Sequence, residues 1–220
     1  MSKQRTGEGQ DVRSGVIAAA TRLFAARGFD GTSLQDIADV VGVTKPAVLH
    51  HFPSKEHIRT GVLESLLEHW REVLPRLLLA ASASEDRFEA IFGELQRFFG
   101  ANPDLARVLV REGLDRPDQT QRLLRGPVRP WLSAIAGYVQ AGVERGNHPA
   151  DLDPEAYVIL ALQMVTFTSA MGPVVSVAIE ESEEGRKRYY REVARIAKAA
   201  LFTPLAERAA AETGPHRARA

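Results

Sequence analysis

The chain has 220 residues, 45% of them hydrophobic, which is enough for one large domain, or a small domain joined to a larger one, with a substantial core. Its 28 Lys and Arg balance 28 Asp and Glu, so no global field draws it toward nucleic acid or membrane, and any anion site must come from local placement. The absence of cysteine excludes disulfides and thiolate metal sites, and residues 1–13 lack the apolar core of a secretory signal, so a cytoplasmic location is expected.

Apolar residues recur at spacings of three and four along almost the whole chain, so the expected fold class is all-α. A first helix is predicted from Val12 to Arg27, with Val16, Ile17, Ala20, Leu23 and Phe24 on one stripe and Gly28 at its C-terminal cap. Ser33 then caps a short helix, Leu34 to Val41, with Asp36 as the capping-box acid and Gly42 as its end. After a tight turn, Thr44 caps a second short helix through His51, with Pro46 in its first turn. Phe52-Pro53 stops it, and a long helix follows from Lys55 to about Ala80, bent at Pro75.

Further helices are predicted at Glu85 to Gly100, Pro103 to Gly113, Asp118 to Arg145 with breaks near Pro127 and Pro130, Pro154 to Met171, and Glu184 to Leu201. The span Ala156 to Ile179 has no formal charge and is long enough to cross a bilayer. Gln163, Thr166, Thr168, Ser169 and the Gly172-Pro173 break make it a buried protein helix instead, so no membrane is expected. Three parts follow: 1–58 as a helix-turn-helix domain with a flexible arm, 59–205 as a helical ligand-binding and dimerisation domain, and 206–220 as a flexible tail.

Two short helices joined by a Gly-containing turn and preceded by a packing helix give the geometry that lays a second helix in the DNA major groove. Helical hairpins of plain bundles share that outline. The residues sharpen it: Leu23-Phe24, Gly28, Thr32-Ser33, Ile37-Ala38, Gly42-Val43, His51-Phe52 and Ser54-Lys55-Glu56 stand in an order and spacing that resembles the TetR family of regulators. The resemblance covers Val16 to Ile58, about the first quarter of the chain. It implies that Thr44, Lys45, Pro46, Leu49, His50 and His51, with Gln35, contact bases, and that Thr32, Ser33 and Lys55 hold phosphates.

Chemistry supports several of these roles separately. Lys45 supplies a point charge or a guanine contact, Gln35 can pair with adenine, and Pro46 and Leu49 can touch thymine methyls. Each also has a plain reading as surface charge, surface filler or helix starter. Lys55 lies at a helix N-terminus, where the dipole and unpaired N–H groups favour an anion. Most family members carry Tyr where this chain has Leu49, so phosphate binding must lean on other residues. Lys3, Arg5 and Arg13 form a basic arm that either reaches an adjacent groove or is simply solvated.

One helix-turn-helix module buries too little surface for selective binding, so two copies are required, held together by the helices near 154–171 and 184–201. The resemblance implies the same homodimer, with the middle helices around a small, largely apolar effector. Candidate ligand-lining residues are Trp70, Phe99, Trp131, Tyr138, Gln163, Phe167 and Met171, for which ordinary core packing is the competing reading. His148, Asp151, Asp153 and Glu155 read as a polar loop in which Asp153 caps the next helix, rather than as a metal site. No cofactor and no catalytic motif is expected: there is no Gly-rich phosphate loop, no GxSxG, no HExxH and no cysteine nucleophile. The expectation is a repressor released from a palindromic double-stranded operator by its effector. The alternative is a helical ligand-binding or scaffold protein that has lost DNA binding.

Overall fold

The computed structural model describes residues 2–80, 84–179 and 182–202, and every regular element among them is helical. The expected tail at 206–220 lies outside the described residues. Helix α1, Ser2–Arg27, starts ten residues before the expected Val12, within the segment expected to be a flexible arm. It ends where Gly28, at φ +76°, returns its N–H to the Phe24 carbonyl at 2.9 Å.

Helices α2, Leu34–Val41, and α3, Lys45–His51, complete the N-terminal head. Ser33 accepts from the Asp36 N–H at 3.1 Å, and the Asp36 carboxylate accepts from the Ser33 N–H at 2.7 Å. That partnership, with the Ser33 hydroxyl bond first among its causes, holds the Asp36 carboxyl below the ordinary carboxylate range. The reciprocal cap is therefore complete above that range and is lost as pH falls through the depressed value. Gly42, at φ +78°, closes α2, and both its N–H and that of Val43 reach the Ala38 carbonyl.

Helix α4, Lys55–Ala80, runs straight from the head into the body and continues through Pro75. The expected division at 58/59 thus falls inside a continuous helix. Val16, Ala20, Phe24, Ile37, Ala38, Val48, Phe52, Ile58 and Val62 form one buried cluster, which Leu105 and Val108 of helix α6, Pro103–Asp115, join from the other side. Leu66 and Phe98 pack against both this cluster and the second one, so the two cores are joined through apolar contact.

The body adds α5, Ser84–Ala101, α7, Pro117–Leu123, α8, Arg129–Glu144, α9, Pro154–Val175, and α10, Glu183–Leu201. Between α7 and α8 the wide turn Leu124–Val128 departs from helical geometry at Gly126, whereas Pro130 stands in the first turn of α8, where its missing N–H costs nothing. Only the first of the two expected breaks is therefore present. Helix α9 passes Pro173 and ends four residues beyond the expected Met171. Arg107 of α6 donates to the Ala170 carbonyl at 3.2 Å, one residue after the Ser169 carbonyl that Pro173 leaves without its helical donor.

Among the described residues α9 is the helix long and apolar enough to cross a bilayer, with mean hydropathy 1.7. It packs against α5, α6, α8 and α10. Tyr157 donates to the Ala197 carbonyl at 2.9 Å, and burial pushes its phenol well above its ordinary titration range. Ser169 and the Tyr190 hydroxyl meet at 2.9 Å, and Gln96 of α5 donates to the Tyr190 carbonyl at 2.6 Å. These bonds fix α10 against α9 with buried polar groups satisfied.

Gly142 on α8 faces the buried His148 ring, and a Cβ there would lie far inside van der Waals contact with the imidazole. Replacing Gly142 by Ala should cost about 1–3 kcal/mol by overpacking, against a gain of about 1 kcal/mol in helix propensity. Thermal unfolding should therefore show a lower midpoint for Gly142→Ala, and recovery of most of the loss when His148→Ala is combined with it.

Candidate nucleic-acid interface

Val48 fixes the orientation of α3. Its side chain is completely buried among Val16, Ile37, Phe52 and their neighbours, so the opposite arc of the helix must face water. Lys45, Pro46, Leu49 and His50 are exposed, and His51 is half-buried with its ring 5.3 Å from that of His50. Thr44, also exposed, uses its hydroxyl to accept from the Ala47 N–H at 3.3 Å. Gln35 is exposed on α2, where its amide donates to Asp39 at 2.7 Å. Of the expected base-reading set, Gln35, Thr44, Lys45, Pro46, Leu49 and His50 are therefore exposed and His51 is half-buried.

The expected phosphate-holding set is arranged differently. Thr32 is buried; its hydroxyl donates to the Gly28 carbonyl at 2.9 Å and its N–H to the Phe29 carbonyl at 3.2 Å, which leaves no donor for a phosphate. Ser33 is exposed, but its hydroxyl is committed to Asp36 at 2.5 Å. The Lys55 ammonium donates to the Phe29 carbonyl at 2.8 Å and the Thr32 carbonyl at 2.9 Å, and lies 4.2 Å from the centre of the Phe29 ring. Thr32 and Lys55 therefore close the α1–α2 turn onto α4 instead of standing open to DNA. Two of the three ammonium donors of Lys55 are used in these bonds.

Sequence reading missed the charged cluster around this turn. The Arg116 guanidinium lies 4.1 Å from the Phe29 ring centre and pairs with Asp30 and Glu56, each at 3.2 Å. Arg59 of α4 pairs with Glu56 at 2.9 Å and with Glu112 of α6, and both members of the latter pair are largely buried. Thr120 donates to the Glu112 carbonyl at 2.9 Å. The cluster joins the head, α4, α6 and α7, and borders a cleft of about 260 Å3 whose walls include Phe24, Arg27, Phe29, Arg111 and Glu112. Arg59 and Glu112 are 53 residues apart, so no local pattern announces them.

The expected ligand-lining residues differ in burial. Phe99 is buried in the second core, and Trp70, Trp131 and Met171 are half-buried on α4, α8 and α9. Trp70 meets Phe98 edge-on at 5.8 Å. Tyr138 is exposed, with the Arg87 guanidinium 5.3 Å from its ring centre. Gln163 and Phe167 are on the outer face of α9, where Phe167 is 55% exposed, so the structure places these two in a surface stripe and not in a pocket. A 3.6-residue period cannot say which of two apolar faces of a helix turns inward. Of the loop residues near α9, Asp153 accepts from the Ala156 N–H at 3.0 Å as its cap, and His148 packs on Phe202. Arg13 stands over the Phe52 ring at 5.1 Å, while the side chains of Lys3 and Arg5 lie outside the described residues.

An all-helical body carrying a capped helix-turn-helix head, with the second short helix exposed, defines the class of one-chain helix-turn-helix proteins. Residues 16–60 match the family described as bacterial regulatory proteins, tetR family. The head of this chain is thus similar to the DNA-binding domain of that family. It is 27% identical over 144 residues to the transcriptional regulator EthR of Mycolicibacterium smegmatis, an alignment that covers 64% of this chain and 65% of that protein, just under two thirds of its length. Its fold is similar to that of the ketosteroid transcriptional regulator KstR2 of Mycobacterium tuberculosis, with TM-score 0.70 and 15% identity over 87% of this chain and 95% of that one. It is also similar to AibR, solved in complex with isovaleryl coenzyme A and operator DNA, with TM-score 0.59 and 19% identity over 72% and 85% of the two chains.

Two substitutions separate turn-closing from anion-binding roles. Lys55→Met should lower stability by about 1–3 kcal/mol, because two carbonyls lose their donor, and thermal unfolding without DNA will show it. Glu112→Ala should cost about 3 kcal/mol by leaving the Arg59 charge largely buried with only Glu56 as partner. A double-mutant cycle with Arg59→Ala should recover a coupling energy of at least about 1 kcal/mol.

Proposed function

We propose that this chain is a DNA-binding transcriptional repressor that acts as a homodimer on a palindromic operator and is released by a small, largely apolar effector. The observation that carries the reading is the exposure of Lys45, Pro46, Leu49 and His50 on a short helix anchored from behind by Val48. A packing helix also buries one arc and exposes the other, so the reading draws on the place of this helix as the second of a capped helix-turn-helix pair within residues 16–60. The match of residues 16–60 to the tetR family of bacterial regulatory proteins and the likeness in fold to AibR support the same reading.

Dimer formation is supported by α9 and α10. Leu160, Phe167 and Val174 stand exposed on one side of α9, and Ile196 is exposed on α10. A contiguous apolar stripe of this kind is unfavourable in water unless another surface covers it. A second copy packed there would form a four-helix interface and hold two heads about 34–36 Å apart, the separation of successive major-groove half-sites.

The effector's action is supported by the route from body to head. Helix α4 carries Lys55, Glu56 and Arg59 at its start and enters the body without a break, and Arg59 is tied to Glu112 of α6. A ligand that favours a different tilt of α4 or α6 changes the spacing of the two heads through these fixed links.

The test is footprinting and anisotropy titration on DNA flanking the chain's own gene. Lys45→Ala should weaken binding across sequences and reduce the salt slope by about one per protomer, with unchanged thermal stability. Phe167→Asp should give a monomer by light scattering and lose sequence-selective binding at moderate salt. Binding by wild-type protein without any sequence preference would overturn the reading in favour of a helical ligand-binding protein.

A further inference from the structure

Helix α6 and the end of α1 with its following turn stand on opposite sides of the cleft of about 260 Å3 that borders the Phe29 cluster. Phe24, Phe29 and Val108 give it apolar walls, and its charged walls are three cations, Arg27, Arg111 and Arg116, and three acids, Asp30, Glu112 and Asp115. Most of these charges are engaged within the protein. Arg116 pairs with Asp30 and Glu56 at 3.2 Å each, Glu112 pairs with Arg59, and Arg27 reaches Asp36 at 3.6 Å. The side chains of Arg111 and Asp115 have no ion pair or hydrogen bond among the described residues.

Two features keep this pair from closing on itself. Arg111 stands one turn before Asp115 on α6, and a cation N-terminal to its acid is the less favourable order on a helix. The Arg111 guanidinium also rests on the cap of α1, with Nη1 3.4 Å from the place that a Cβ on Gly28 would take. The carbonyls of that turn are in use: Gly28 accepts from the Thr32 hydroxyl, and Phe29 and Thr32 accept from Lys55.

This pattern of free charge selects a class of ligand. A simple anion on Arg111 would have the Asp115 carboxylate one helical turn away, about 6 Å of rise, and a simple cation on Asp115 would be repelled by Arg111. A molecule that carries a carboxylate and an ammonium side by side satisfies both groups at once. The volume falls below the roughly 300–1,000 Å3 of sites for drug-sized ligands, so the occupant is small, and the apolar walls favour an apolar side chain on it.

We propose that this cleft binds a small apolar α-amino acid, its carboxylate on Arg111 and its ammonium on Asp115. Because the walls come from α1 and its turn on one side and from α6 on the other, occupancy ties the head to the body at a place apart from the apolar effector. The site is independent of the DNA-binding reading, and its test contains no DNA.

Isothermal titration of the full-length chain with L-alanine, L-valine, L-leucine and L-methionine should give saturable binding of one molecule per protomer for at least one of them. The tightest is then compared with its deaminated and decarboxylated analogues. Each analogue should bind at least about tenfold more weakly, the loss expected for one charge-assisted contact. Asp115→Asn should erase the preference over the deaminated analogue, and Arg111→Gln the preference over the decarboxylated one. Both positions are exposed, so both variants should keep the wild-type melting midpoint without ligand. No saturable binding by any of the four, a deaminated analogue that binds as tightly as its amino acid, or unchanged affinities in both variants would overturn the proposal.

Discussion

Val48 has no surface left in water, and the orientation of the whole head follows from that burial. A seven-residue helix has too few turns to hold itself, so its position is set by the side chain it buries and by its caps. With Val48 pointed at Val16, Ile37 and Phe52, the arc holding Lys45, Pro46, Leu49 and His50 has no alternative to solvent or a partner. Thr44 and Phe52 then stop the helix on either side. The apolar core thus decides which polar and apolar groups are offered outward, and function is a consequence of packing.

The second constraint is the turn between α1 and α2. Phe29 is approached by Lys55 and Arg116, at 4.2 and 4.1 Å from its ring centre, and by Arg59 at 5.9 Å. Three cations around one ring would repel each other without Asp30, Glu56 and Glu112 between them. The acids and the ring together make a neutral, hydrogen-bonded joint. Its members come from the head, from α4, from α6 and from the residue that follows it, so the head cannot rotate freely on the body. A chain whose charges sum to zero has here used several of them for internal fixation, and fewer remain to attract DNA.

What the sequence could disclose followed from distance along the chain. The caps at Ser33 and Thr44, the left-handed Gly42 and the stop at Phe52-Pro53 act within four residues, and all were readable with their boundaries. The bonds of Lys55 were not legible because its two carbonyl partners lie 26 and 23 residues away; at a helix start, a lysine free for phosphate and one bonded to a distant turn look alike. The same holds for Arg59 and Glu112. The ligand-lining set was least legible, since Phe99 inside and Phe167 outside are both aromatic residues on helices of mixed pattern. Only the packing partner distinguishes them, and no short-range rule names it.

The outer face of α9 connects these points to the question of affinity. A head with Lys45 as the cation on its recognition helix gains little from phosphate attraction alone, and one copy would dissociate readily at physiological salt. On the proposed reading, selectivity then comes from shape and from two heads acting together. Joining two weak sites raises their combined affinity by the effective concentration of the second, with no new contact to DNA. On that argument the exposed Leu160, Phe167 and Val174 matter to DNA binding as much as any residue on α3, although they lie on another helix of the body. A neutral chain can discriminate among sequences in this way while avoiding the strong nonspecific attraction that a basic surface would bring.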